Sequence, residues 1–135
     1  MHKPIAQGDT RRWPLFALAA FFAATGISHF VVPGYFEAIV PPCIPNAPLM
    51  VAISGVAEFA GGIGVIPRRT RRAAGWGLVA LLIAVFPANV YAWQSAHAAG
   101  ESRSRELVLL LRLPLQGLLI WWVWRVAIRR ARDGR

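Results

Sequence analysis

The sequence predicts an all-α protein, a four-helix transmembrane bundle with both termini cytoplasmic and a proline-rich external loop between helices 1 and 2. Three observations carry that prediction: long apolar blocks, the placement of the basic residues, and aromatic side chains gathered at the block ends. Apolar residues make up 56% of the chain, above the roughly 45–50% usual for soluble domains. They fall in blocks over residues 13–32, 49–66, 74–93 and 107–128. Each is near the ~20 residues that a helix needs to cross ~30 Å of hydrocarbon at 1.5 Å per residue. At 135 residues the chain holds one domain, 1–135, made of these spans and their loops.

A net charge of +9 suggests nucleic acid in a soluble protein, but its distribution excludes that partner here. Lys3, Arg11 and Arg12 precede the first span, and Arg68, Arg69, Arg71 and Arg72 fill the turn between the second and third. Arg125, Arg129, Arg130, Arg132 and Arg135 close the chain. The loop over 33–48 has neither Lys nor Arg. Basic residues favour the cytoplasmic side of short loops, so both termini and the central turn are expected there, facing anionic lipid. Only Arg103, Arg105 and the intramembrane Arg112 depart from the rule. Trp13, Trp76, Trp121, Trp122 and Trp124 fall at the predicted inner ends, and Trp93, Tyr35 and Tyr91 at the outer ends, as interfacial aromatic belts require. The Arg11-Arg12 pair before an apolar run resembles a twin-arginine signal. No small-residue cleavage site follows, and the run reads as a span.

In chain order, the first span leads into an external loop with five prolines, Pro33, Pro41, Pro42, Pro45 and Pro48. That density forbids a long regular element. A short apolar helix over Gly34 to Val40, ended by Pro41-Pro42, is expected to lie over the bundle mouth as a lid or to serve as a plain connector. Cys43 is the only cysteine, which excludes an internal disulfide, a CxxC motif and a multi-cysteine metal site. It reads as a small apolar side chain, with bridging of two copies as the alternative. The second span is rich in small residues, among them Gly55, Gly61, Gly62 and Gly64, which let helices approach closely in lipid. A place at the bundle centre or in a homodimer contact follows. Pro87 and Pro114 interrupt the third and fourth spans and leave the carbonyls of Ile83 and Leu110 without ladder donors.

Each span also carries polar residues in its outer half: His29, Glu58, Asn89, and Arg112 with Gln116. Helix rise puts His29 about 5 Å, Asn89 about 6 Å and Arg112 about 8 Å below the outer end, with Glu58 and Gln116 roughly 14 Å deep. Charged side chains in hydrocarbon cost roughly 2.5–3.5 kcal/mol each on insertion scales, so they are expected to face one another inside the bundle. Arg112 is long enough to reach Glu58 and neutralise it. The five together are the candidate ligand-binding pocket, with no metal expected. Interhelical bonding without a ligand is the competing explanation, favoured for Asn89 or Gln116 taken alone.

The motifs Gly26-x-x-His29-Phe30-x-x-Pro33, Pro41-Pro42-x-x-Pro45, Ser54-Gly55-x-x-Glu58, Phe86-Pro87-Ala88-Asn89 and Arg112-Leu113-Pro114-x-Gln116 together resemble the DoxX-like family of small integral membrane proteins. The likeness covers nearly all the chain from the first span onward. It implies four transmembrane helices, a bacterial inner-membrane location and the same five polar residues as family motif positions. Members resemble the membrane subunit of a thiosulfate:quinone oxidoreductase or associate with thiol-redox complexes, although no agreed mechanism comes with the likeness. The first expectation is therefore a redox-associated membrane subunit binding a quinone-like ligand. It would draw electrons from a soluble oxidoreductase partner, because the chain lacks a flavin fingerprint, paired haem histidines and cluster ligands. Two other expectations stand beside it: a dimeric small-molecule exporter using Glu58, and a non-catalytic membrane scaffold or chaperone.

Overall fold

Local sequence signals place several of the helix ends. In the computed structural model, which describes residues 12–129, α1 runs Trp13–Val31 with Pro14 in its first turn, where a missing N–H costs nothing. Pro33 pushes Val32 out of helical geometry, to φ −131° and ψ 58°, and then opens the one-turn α2, Pro33–Glu37. This is shorter than the expected 34–40 helix, because Ala38 to Val40 continue only as turns. α3 spans Ala47–Gly64; its cap Asn46 takes the left-handed conformation and accepts a hydrogen bond from the Leu49 amide at 3.2 Å. α4 covers Arg71–Ala98 and α5 covers Arg103–Val123, both running unbroken through Pro87 and Pro114. The chain then continues as a π-helical segment, Trp124–Arg129. Lys3, Arg11, Arg130, Arg132 and Arg135 lie outside the described residues.

α3 packs between α1 and α4, α5 packs on α4, and the π-helical segment returns to α1 and α4. This makes an all-α, four-helix membrane bundle, closed at the end where the basic turn lies. Leu18 and Phe22 meet Val65, Leu78, Val123 and Ala127 there in the main apolar core. No more than 28% of any span is buried within the protein, and large apolar side chains such as Ile53, Val56, Ile83, Leu111 and Leu118 are exposed. On helices this long and apolar, that surface is solvated by lipid, and the protein is a multi-pass membrane protein.

The α1–α3 contact is backbone to backbone. A Cβ on Gly26 would come 2.7 Å from the Phe59 nitrogen and 2.8 Å from the Gly55 oxygen. On Gly62 it would meet the Ala23 nitrogen at 2.9 Å. The small residues of the second span thus serve the bundle interior. On the same helix Gly61 receives Leu78 of α4, and Gly64 faces Ala74. The basic turn is partly structural as well: Arg71 donates to the Val65 and Ile66 carbonyls at 2.9 and 2.8 Å, and Thr70 to the Gly64 carbonyl at 2.7 Å. These bonds satisfy the carbonyls that a helix leaves open at its C-terminus.

Candidate functional site

The glycine contact between α1 and α3 sets the first polar group. With Gly26 seated against the backbone of Gly55 and Phe59, Glu58 of α3 comes level with Thr25 of α1 and within reach of His29 one turn farther along. Thr25 donates to Glu58 Oε1 at 2.8 Å, and His29 Nδ1 lies 3.5 Å from Glu58 Oε2. The His29 and Glu58 side chains are only 12% and 14% exposed, a setting in which an ionisable group needs a partner. His29 Nδ1 also sits 2.9 Å from the Thr25 carbonyl oxygen. A carbonyl only accepts, so Nδ1 carries a ring proton. The Thr25 hydroxyl has one proton and three acceptors in reach, Glu58 Oε1 and the carbonyls of Phe21 and Phe22 at 3.0 and 3.2 Å. It can therefore turn away from Glu58 without leaving its own proton unpaired.

The second group joins α4 to α5. Asn89 Nδ2 donates to Gln116 Oε1 at 2.8 Å, while Gln116 Nε2 donates to the Leu82 carbonyl. Leu82 is one residue before the carbonyl that Pro87 deprives of a ladder donor, so Gln116 reaches the α4 backbone where its ladder is weakened. Gln116 is 4% exposed, the one buried polar side chain among the described residues.

Arg112 joins neither group. The expected pairing with Glu58 does not form: Arg112 donates to the Tyr35 hydroxyl and lies over its ring, 5.1 Å from the centroid. The reason is placement. Glu58 is taken up by the helix in direct contact with α3, whereas α5 packs on α4 and reaches the external loop through Arg112 instead. α2 bridges the groups, because Phe36 stacks on His29 at 3.8 Å and Tyr35 stands edge-on to Phe36 at 5.5 Å. Among the described residues, no hydrogen bond or ion pair joins the five expected residues into one cluster. They form two interhelical groups, with a cation held by the loop.

Beside Arg112, a cavity of about 530 Å³ opens at the outer end, lined by Tyr35, Ile39, Ala92, Ser95, Arg105 and Leu109 among others. None of the five expected residues lines it. Helical spacing was the available signal. Arg105, Leu109, Arg112 and Gln116 follow one another at intervals of four, three and four residues and so share a face of α5. Ala92, Ser95 and Ala96 share a face of α4, and Ala99 caps it on the same side. Tyr35 was legible only as an interfacial aromatic; its contact with Arg112 is a tertiary fact. Cys43 is exposed.

The profile of a family described as "Domain of unknown function (DUF8561)" matches residues 18–127, from the second turn of α1 into the π-helical segment and including all five polar positions. No curated protein and no solved structure matches the chain. The chain belongs to this DUF8561 family.

Proposed function

We propose that this protein is a redox-associated subunit of the bacterial inner membrane that binds a quinone-like ligand in the outer half of its bundle. It is DoxX-like, with both termini cytoplasmic and a soluble oxidoreductase as electron partner. The observation that supports this most is the His29–Glu58 pair, completed by Thr25, in the outer half of the α1–α3 contact. Isolated buried ion pairs are poor stabilisers, so an ionisable pair kept in hydrocarbon favours a chemical role. Arg112, Tyr35 and the adjoining cavity add hydrogen-bond donors beside apolar wall. A quinone needs this combination, with donors for its carbonyl oxygens and an apolar berth for its ring.

Ligand retention is the test. Protein purified in a mild, lipid-free detergent is extracted with organic solvent and the extract analysed by mass spectrometry. The expected result is near-stoichiometric quinone, reduced severalfold in the Arg112→Ala protein. Absence of quinone from protein kept in native membrane discs would overturn the reading. Orientation has its own check: a membrane-impermeant maleimide is expected to label Cys43 from the external side of intact spheroplasts.

A further inference from the structure

An open space in the outer half lies not at the His29–Glu58 pair but across the bundle, between the end of α4, the start of α5 and the residues around α2. Its walls are apolar, with Ile39, Ala92, Ala96 and Leu109 lining it. Its polar side chains are Tyr35, Ser95, Glu101 and Arg105. Glu101 is occupied, accepting from Arg105 Nε at 2.7 Å. That bond leaves the terminal nitrogens of Arg105 with protons to donate. The Tyr35 oxygen accepts from Arg112, so its own proton points elsewhere, and a phenol polarised by a guanidinium is a strengthened donor. The Ser95 hydroxyl makes no hydrogen bond to another side chain among the described residues. Arg112 has no carboxylate within 4 Å among them, so positive charge stands behind this rim. A donor-weighted rim on an apolar pocket at the membrane interface is complementary to acceptor oxygens carried on an apolar body.

We propose that this cavity is the head-group site of an amphiphile whose polar end carries carbonyl oxygens, with Tyr35, Ser95 and Arg105 as the donors and the apolar tail leaving between α4 and lipid. This rests on the reading of the protein as a quinone-type binder, and it locates the ring on the α4–α5 side, away from the α1–α3 pair. Arg112 acts through Tyr35 as a positioning residue.

The full chain in mild detergent is photolysed with an azido-benzoquinone bearing a decyl tail, digested and mapped by mass spectrometry. Label is expected on peptides covering 92–99 and 105–109. It is displaced by excess decyl-benzoquinone and not by decylbenzene, which has the same tail without oxygens. Ala99→Trp, at an exposed position on the rim, is expected to cut this labelling about tenfold, and Ala57→Trp, on the open face of α3, to leave it within about twofold. Competable label on the α1 and α3 peptides instead would overturn the placement and leave quinone binding standing. Absence of competable label anywhere would overturn both. Equal displacement by decylbenzene would overturn recognition of the oxygens, and displacement by decanoate at the same concentration would replace the carbonyl head with a carboxylate.

Discussion

The two helix pairs of this bundle meet in different ways. α1 and α3 touch through glycines, with no side chain between Gly26 and Gly55, and the polar residues beside that contact close on one another. α4 and α5 are held by side chains, Asn89 on Gln116 and Gln116 on the Leu82 carbonyl, and toward the exterior both line a cavity. Backbone contact locks ionisable groups together and leaves no room beside them. Side-chain contact keeps the helices farther apart and leaves space that a ligand can fill. Chemistry and volume therefore lie in opposite halves, joined by the aromatic pair of α2.

The largest expected effect separates the halves by their glycines. Gly26→Ala puts a Cβ against α3 backbone atoms that cannot yield, and should destabilise the bundle by about 3 kcal/mol. Gly117→Ala on α5, with nothing within 4 Å, should be neutral or stabilising by up to about 1 kcal/mol. Reversible unfolding in mixed detergent micelles reads both, and equal losses would erase the distinction. Next comes Gln116→Leu, expected to cost about 2 kcal/mol by leaving Asn89 and the Leu82 carbonyl without their partner.

A double-mutant cycle on Thr25→Val and Glu58→Gln should return a coupling of about 1 kcal/mol, in the range of membrane hydrogen bonds. The same cycle on Glu58→Gln and Arg112→Gln should return a value near zero, since the two side chains have different partners; appreciable coupling would contradict the split site. Tyr35→Phe should change global stability by less than about 1 kcal/mol, because the side chain is half exposed. It should nevertheless speed hydrogen exchange over 33–37 as α2 loses its tie to α5. The smallest effect belongs to Glu101→Gln, which breaks a partly exposed pair four residues apart at the start of α5 and should stay within about 0.5 kcal/mol.

Much of this was legible in the residues. Block length and hydropathy located all four spans, and α3 differs from its expected 49–66 by two residues at each end. α4 was underestimated, because residues 94–98 are too polar to count as membrane yet form good helix above the interface, where His97 meets Glu106 of α5. Pro87 and Pro114 suggested breaks, but the helices continue through both. For the site, His29 with Glu58 and Asn89 with Gln116 were each identified as polar residues in lipid. The Arg112–Glu58 pairing was inferred from reach alone, and reach says nothing about which helix stands between.

Which segments enter the bilayer, and the presence of a polar residue in each outer half, follow from composition along the chain. Hydropathy and charge add up locally, and a helix in lipid must satisfy its own backbone wherever it stands. The identity of each polar partner did not follow. Partners depend on helix rotation and crossing, set here by Gly26, Gly55 and Gly62 on one side and by Gln116 reaching α4 on the other. Close approach of distant segments also decides where volume is left over, and so the opening beside Tyr35 belongs to the packed bundle alone.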